Sequence, residues 1–511
     1  MQATHLIVLI HGLYGDVHNL DAVKSELLAL ADPETSNISD KGASGAEKHN
    51  RCIHNERPKK RMETVVYLPK SIKGAHTWDG IDVCAHRVAE ELDYEIERLQ
   101  DEGKDIVGFS VMGYSLGGLI GRYLIGLLHA RQPSFFARHR PVSFSTAATP
   151  HLGVLKYGTK TNTFVHSIGR KLFSHTGRQL YCMDHETEWG GRNLLEVMAD
   201  PDGIFINALR LFPRSMLVAN GTRDLTVPYP TASISPVDPF DDSTYLDIEI
   251  DENNIIQSYR HIPLDDDSVS NFGSISTSTT QRIEKDEEEV EVLVTTIYKK
   301  PGRIMKVKKR SPPPFPPVLI LPLRWPFNYS LLPFIPVLLP LFILYMTIMI
   351  TWITFHSRRR VQSLRHNQIE RQPLLSSSSS MSSTPSSSLS DMTSSVKQTL
   401  YEPIKALEDG TSTPPMADPL PTGSAPQPLL TPHQKMMVKA LNEAMPNAKR
   451  VIAWFPWAYN AHAMLICRSM ARFPWQKDGL GVVQAWAKFA FEAGEAECHA
   501  KATGAVAHGN T

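Results

Sequence analysis

The six residues Gly113-Tyr114-Ser115-Leu116-Gly117-Gly118 constrain this chain more than any other stretch. They follow the apolar run Ile106-Val107-Gly108-Phe109-Ser110-Val111-Met112 and precede a helix-like stretch over residues 119–129. The order reads as a strand, a sharp turn and a helix. A reactive serine on such a turn needs small residues two before and two after it, because the backbone is strained and neighbouring chain passes close. Gly113 and Gly117 supply both. The turn also puts Ser115 at a helix N-terminus, where free N–H groups and the helix dipole favour an alkoxide or tetrahedral oxyanion. Ser115 is therefore the candidate nucleophile, against the alternative of an ordinary loop serine.

The unbroken apolar run Leu6-Ile7-Val8-Leu9-Ile10 suits a strand buried on both faces of a parallel sheet, and His11-Gly12-Leu13-Tyr14-Gly15 follows it as a turn. Residues 16–30 have helical periodicity, 63–69 read as a buried strand, and a helix runs from Asp79-Gly80-Ile81-Asp82 to about Leu99. Residues 141–148 and 214–220 are further strands, the first ending at Thr149-Pro150-His151. Strands alternating with helices imply a parallel, doubly wound sheet.

The turn at His11 to Gly15, the elbow at Gly113 to Gly118, and Ser145-Thr146-Ala147-Ala148-Thr149-Pro150-His151-Leu152-Gly153 together resemble the lipase-like serine esterase family of fungi. That group includes lipid-droplet phospholipases and monoacylglycerol-lipase-like proteins. Val218-Ala219-Asn220-Gly221-Thr222-Arg223-Asp224-Leu225-Thr226-Val227-Pro228 and Asn460-Ala461-His462-Ala463-Met464-Leu465-Ile466-Cys467-Arg468 match its pattern too. The resemblance covers most of the first 230 residues and returns near the end; it departs at Tyr114, where many relatives carry histidine, and in a polar insertion over 32–61 that reads as a surface loop. It implies an α/β-hydrolase fold, with the backbone N–H groups of Leu13 and Leu116 as oxyanion donors. It also implies a cap over residues 156–212, a stretch without strand pattern.

Asp224 follows the strand over 214–220, where a triad acid would orient an imidazole at the C-terminal edge of the sheet; its bland role is a turn-capping aspartate. Two histidines compete for the base. His261, in Tyr259-Arg260-His261-Ile262-Pro263, would give a compact catalytic unit. His462 follows the strand-like Lys449-Arg450-Val451-Ile452-Ala453-Trp454-Phe455 and precedes an amphipathic stretch over 482–491 suited to a closing helix. The family carries its histidine in the small-residue context around His462, which is preferred, with His261 as the alternative. His151 and His185 read as packing or surface residues, and Asp184-His185-Glu186 lacks further ligands for a metal.

Lysine plus arginine equals aspartate plus glutamate, 53 each, which removes bulk charge as a reason to expect a nucleic-acid partner. Cys52, Cys84, Cys182, Cys467 and Cys498 are scattered and odd in number, favouring reduced thiols over a disulfide framework or zinc site. The first apolar run is too short for a signal peptide. Residues 331–355 are almost wholly apolar, about 25 residues, enough for roughly 30 Å of bilayer. Pro333, Pro336 and Pro340 leave a proline-free part of about 15 residues, roughly 22 Å, too short to cross alone. Lys306-Val307-Lys308-Lys309-Arg310 and Arg358-Arg359-Arg360 flank the wider zone from Val318, so the segment reads as a re-entrant hairpin or one-leaflet anchor with both ends in the cytosol.

The expected layout is the main hydrolase domain over 1–260, a linker over 261–317, the membrane hairpin or anchor over 318–356, a disordered Ser/Pro-rich linker over 357–430, and completion of the hydrolase domain over 431–498. Within the linkers, 265–289 is acidic, 289–298 reads as a short strand, and 376–395 is a serine tract. The sequence reads as a serine hydrolase acting on lipid esters at a membrane or lipid-droplet surface, droplet or endoplasmic reticulum, facing the cytosol. Ser115, His462 and Asp224 form its triad, with no metal or cofactor required. A thioesterase acting on acyl proteins and a non-catalytic lipid-anchored scaffold are the rival readings.

Overall fold

In the first strand, β1 (Gln2–Ile10), Leu6, Val8 and Ile10 face one hydrophobic layer and Ile7 and Leu9 the other, all fully buried. A strand covered on both sides has no polar face to present, which is why the run is unbroken. The structure, a computed structural model, describes residues 1–31, 62–157, 174–184, 190–240, 246–261, 335–376 and 427–502. The polar insertion, the acidic and serine-rich linkers, the strand expected over 289–298, the basic run at 306–310, the apolar zone before residue 335 and His185 lie outside the described residues.

Chain order continues with α1 (Asp21–Ala31), β2 (Glu63–Tyr67), α2 (Ile81–Asp101), β3 (Lys104–Tyr114), α3 (Leu116–Ala130), β4 (Arg140–Ala147) and the two-residue β5 (Lys156–Tyr157). Short helices α4 (His175–Leu180), α5 (Leu194–Val197) and α6 (Ile204–Arg210) lead to β6 (Arg214–Asn220) and α7 (Tyr229–Ser233). Then come β7 (Leu246–Ile250), β8 (Ile256–His261), α8 (Ile335–Ser376), β9 (Pro428–Leu429), α9 (Pro432–Ala444), β10 (Lys449–Ala453) and α10 (Leu480–Ala502).

Six strands form one sheet in the order β10-β6-β4-β3-β1-β2, and every neighbouring pair is parallel. Helices α1 and α10 cover one face through Val23, Leu27, Val482 and Trp486; α2, α3, α6 and α9 cover the other. This is the α/β-hydrolase arrangement. β1 turns toward β2 and β3 toward β4, so the strand order reverses between β1 and β3, and a crevice opens beyond their C-terminal ends.

The C-terminal segment is integral to this body. Thr431 starts α9 with a capping box: its side chain accepts from the Gln434 N–H, and the Gln434 side chain accepts from the Thr431 N–H at 3.0 Å. β10 then adds to the sheet edge beside β6, with Lys449 opposite Met216 and Ala453 opposite Asn220. From α10, fully buried Trp486 donates its indole N–H to Ser145 Oγ on β4 at 2.8 Å.

Several expectations need correction. The 156–212 stretch contains a strand after all, since β5 pairs antiparallel with β9. The pair β7–β8 forms an antiparallel hairpin joined to the sheet edge, where Ile255 bridges Ala453 and the Trp454 N–H donates to the Asn254 carbonyl at 2.8 Å. Residues 357–376 are not linker but the second half of α8, whose many Arg, Gln and Leu residues favour helix. From Ile335 to Ser376 the backbone is one continuous helix with no reversal, so that range holds no hairpin. Pro336 lies in its first turn, where N–H groups have no intrahelical partner anyway, and Pro340 one turn later removes a single bond. Among the described residues no helix is long and apolar enough to cross a membrane, and the transmembrane reading has no support there.

Truncating Trp486 to alanine should cost about 3–5 kcal/mol of stability, measured by urea unfolding. A loss below about 1 kcal/mol would show that α10 is not part of the cooperative core.

Candidate active site

Ser115 sits between β3 and α3 with φ +55° and ψ −125°, a conformation side chains other than glycine rarely adopt. Its surroundings force the turn. A Cβ on Gly113 would lie 2.4 Å from the Gly118 Cα, and one on Gly117 would lie 2.2 Å from the Ile10 carbonyl oxygen. The Ser115 N–H donates to the Ala147 carbonyl at 2.8 Å, while its own carbonyl accepts from Thr149 Oγ1 at 2.9 Å and the Gly118 N–H at 3.1 Å.

His462 opens a 3-10 helix (His462–Ile466) rather than lying in an open loop. Its Nε2 is 3.1 Å from Ser115 Oγ and its Nδ1 is 3.0 Å from Asp224 Oδ2. A carboxylate can only accept, which assigns the proton to Nδ1 and leaves Nε2 to accept from the serine hydroxyl. Asp224 is almost completely buried, at 1% side-chain exposure. Its Oδ1 accepts from the N–H groups of Thr226 at 3.0 Å and Val227 at 2.8 Å, and its Oδ2 also accepts from Asn220 Nδ2 at 2.9 Å. Burial alone would push this carboxyl up; the charge and hydrogen bond of His462 and the donors at Val227 and Asn220 outweigh it and hold the carboxyl below its usual range.

The turn after β1 lies against Ser115, since a Cβ on Gly12 would come within 2.8 Å of Ser115 Cβ and 3.3 Å of its Oγ. Leu13 is next in this turn, and Leu116 is the first residue of α3, where helix geometry leaves the N–H without an intrahelical acceptor. His11 is buried and donates Nδ1–H to the Gly12 carbonyl at 3.0 Å; burial holds its pKa below the ordinary value, so it stays neutral and shapes the turn.

The remaining sequence candidates lie elsewhere. His261 ends β8 opposite Leu246 in the edge hairpin, and the imidazole that reaches both Ser115 and Asp224 is that of His462. His151 is fully buried between Thr146 Oγ1 at 2.9 Å and Arg122 at 3.4 Å. Asp184 accepts from the Leu194 N–H at 3.0 Å, and no cluster of potential metal ligands exists among the described residues. Cys84, Cys182 and Cys467 are free thiols, with burial pushing all three up.

Sequence reasoning missed the groups that hold His462. The Tyr114 hydroxyl donates to the His462 carbonyl at 3.1 Å and accepts from Arg468 at 2.8 Å, and its ring packs on the imidazole with centroids 5.1 Å apart. Burial pushes the Tyr114 phenol up, so it stays protonated and able to donate. Asn460 Oδ1 accepts from the His462 N–H at 3.1 Å and the Leu225 N–H at 3.3 Å, tying the loop after β10 to the loop after β6. The one available signal was Tyr114 itself, the departure from the family pattern next to Ser115.

Residues 1–235 match the model of the family described as "Putative serine esterase (DUF676)". The chain is 35% identical over 128 residues to "Putative lipase C4A8.10" of Schizosaccharomyces pombe, a segment that is 24% of this chain and 16% of that protein. It is 28% identical over 230 residues to "Putative lipase ROG1" of Saccharomyces cerevisiae, covering 45% and 28%. The matched segments thus span less than a third of these relatives' own lengths. Among solved structures, the phospholipase PlaB from Legionella pneumophila aligns with a TM-score of 0.26 at 12% identity, over 47% of this chain and 40% of that one.

Tyr114→Phe should slow covalent labelling of Ser115 by a fluorophosphonate roughly two- to tenfold, the worth of one neutral hydrogen bond. An unchanged rate would show that ring packing alone holds His462. The Asp224 carboxylate, with its depressed native pKa, contributes stability that is complete above about pH 4 and lost as pH falls through the native value. Asn220→Ala, which removes one of its donors, should move the acid-unfolding midpoint to higher pH, followed by circular dichroism.

Proposed function

We propose that this chain is a serine hydrolase that cleaves lipid carboxylic esters, as a phospholipase or acylglycerol lipase. The observation that carries the proposal is the continuous line from Asp224 through His462 to Ser115, with hydrogen bonds of 3.0 and 3.1 Å. In this reading Ser115 Oγ attacks the acyl carbonyl carbon while His462 Nε2 takes its proton. The tetrahedral oxyanion is held by the N–H groups of Leu13 and Leu116. Asp224 keeps the imidazole in its tautomer and stabilises the imidazolium, which then protonates the departing alcohol. Water, deprotonated by the same histidine, attacks the acyl-serine and releases the fatty acid.

Support for a lipid substrate comes from the similarity to the two yeast proteins described as putative lipases and from α8. Between Val337 and Phe355 this helix exposes Val337, Leu341, Leu344, Tyr345, Ile348 and Trp352, and Arg358 and Arg359 follow directly. An apolar surface with aromatic residues and an adjoining cationic cluster suits insertion into one leaflet of an anionic lipid surface. This surface supports action at a membrane or lipid droplet, and the scattered cysteines of the sequence support the cytosolic side.

The test is hydrolysis of phosphatidylcholine and monoacylglycerol by the purified full chain beside Ser115→Ala, His462→Ala and His261→Ala, each checked by thermal unfolding. Ser115→Ala and His462→Ala should lose about 10⁴-fold or more, and Ser115→Ala all fluorophosphonate labelling. His261→Ala should stay within about twofold of wild type. Loss with His261→Ala and retention with His462→Ala would overturn the assignment.

A further inference from the structure

Helix α8 is clamped to the catalytic body through one buried carboxylate. Asp79 is fully buried and receives Arg360 of α8 side-on, with Nε donating to Oδ2 at 3.0 Å and an Nη donating to Oδ1 at 2.7 Å. Arg87 of α2 holds the same carboxylate at 2.8 Å. Arg360 also donates to the Ala75 carbonyl at 3.1 Å, and buried Ser357 donates to the Trp78 carbonyl at 3.1 Å. Ile353, Thr354, Ser357 and Val361 are the buried face of α8 here. One arginine of the basic cluster is therefore turned into the protein.

The segment gripped in this way is the 3-10 helix Gly74–Trp78, and its other side holds the turn after β1. The Tyr14 N–H donates to Thr77 Oγ1 at 2.8 Å, the Gly74 N–H donates to the Gly15 carbonyl at 2.8 Å, and Thr77 Oγ1 donates to the Gly74 carbonyl at 2.7 Å. Tyr14 itself has φ +52°, so its backbone depends on these partners. Leu13 is its neighbour in the chain. The path from α8 to the Leu13 N–H thus consists of Arg360 and Asp79, the 74–78 helix, and two hydrogen bonds to Tyr14 and Gly15.

We infer that Arg360 and Asp79 are positioning residues that couple the seating of α8 to the oxyanion turn at Leu13. The inference rests on the ester-hydrolase reading above. With α8 seated, the 74–78 helix holds Tyr14 and Gly15 and the Leu13 N–H is aimed at the oxyanion position; once Arg360 no longer grips Asp79, the turn loosens. Because a donor to the oxyanion acts on charge that develops in the transition state, loosening it lowers kcat and leaves KM nearly unchanged. Lipid held by the exposed half of α8 then bears on the same joint.

The experiment measures kcat and KM of the full chain in detergent micelles on p-nitrophenyl butyrate, a soluble ester that does not need the lipid surface. Arg360→Ala leaves Asp79 paired with Arg87, so no buried charge is stranded. It should lower kcat about tenfold, a part of the roughly 10²–10³ that loss of a whole oxyanion donor costs, with KM within about twofold. Arg360→Lys, which keeps the charge without the side-on geometry, should recover part of the loss. Thr77→Val cuts the next link, and the double variant should fall no more than about twofold below the worse single one, since both act through one path.

Wild-type kcat in a folded Arg360→Ala, or losses that multiply in the double variant, would overturn the coupling. If Arg360→Ala does not fold, Arg360→Lys and Ser357→Ala at unchanged unfolding temperature carry the same comparison, and wild-type kcat in both would overturn it equally. An inactive wild type that a fluorophosphonate does not label would remove the hydrolase reading and this inference together. An active wild type beside an unaffected Arg360→Ala removes the coupling alone.

Discussion

The parallel pairing of β10 with β6 is the interaction on which the rest of the molecule depends. Its register, Lys449 opposite Met216 through Ala453 opposite Asn220, brings the loops after the two strands to the same end of the sheet. Asp224 and His462 are 238 residues apart in the chain and 3.0 Å apart in space. The entropy of closing so long a loop grows only with the logarithm of its length, about 0.6 kcal/mol for each doubling. Burial of Trp486, Val482 and Val483 under the sheet is large against that increment. A long insertion between Asp224 and His462 is thus thermodynamically light, provided the returning segment has a strand to pair and a helix to bury.

The same pairing limits what the insertion can be. β6 and β10 belong to one sheet, so the chain leaves and re-enters on the same side of any membrane it meets, and only an even number of crossings fits between them. Seating of α8 on the 74–78 helix through residues 353–361 adds a second restraint, because the docked half begins where the apolar half ends. An anchor lying in one leaflet satisfies both restraints. A helix perpendicular to the bilayer would have to be accommodated with its docked half still on the protein.

What was legible in the sequence follows from how local the physical cause is. The central strands and the elbow could be read because burial on both faces and close backbone approach leave an imprint on consecutive residues, as in Leu6–Ile10 and at Gly113 and Gly117. The start of α9 has a local imprint too, with Thr431 as cap, Pro432 at the first helical position and Gln434 closing the capping box within four residues. The hairpin β7–β8 was not, since one face packs only on an edge cluster around Phe240 and Trp454 and the strands carry charges at Asp247, Glu249 and Arg260. The two-residue pair β5–β9 depends on a partner far along the chain and has no local signature. Of the prolines that read as breakers, Pro336 falls in the first turn of α8, where its cost is small, while Pro340 one turn later costs the helix one hydrogen bond without ending it. That His462 rather than His261 lies beside Ser115 and Asp224 follows from sheet order, and the support of His462 by Tyr114 and Arg468 joins two distant segments of the chain.

The site has two halves held by different forces. Ser115, His462 and Asp224 are fixed by packing and by hydrogen bonds internal to the sheet end: the elbow is wedged against β1, and Asn460 ties the two loops together. The strain at Ser115, of order 1–3 kcal/mol, is sustained because its neighbours are backbone or buried side chains. The turn at Leu13 is different. It must approach Ser115 closely enough that Gly12 tolerates no side chain, yet two of its restraints, at Tyr14 and Gly15, come from the separate 74–78 helix. A shift in that helix would move the Leu13 turn without disturbing the hydrogen-bonded line from Ser115 to Asp224. An element that touches the 74–78 helix therefore bears on the turn at Leu13, while one touching the loops after β6 or β10 would bear on the line from Ser115 through His462 to Asp224.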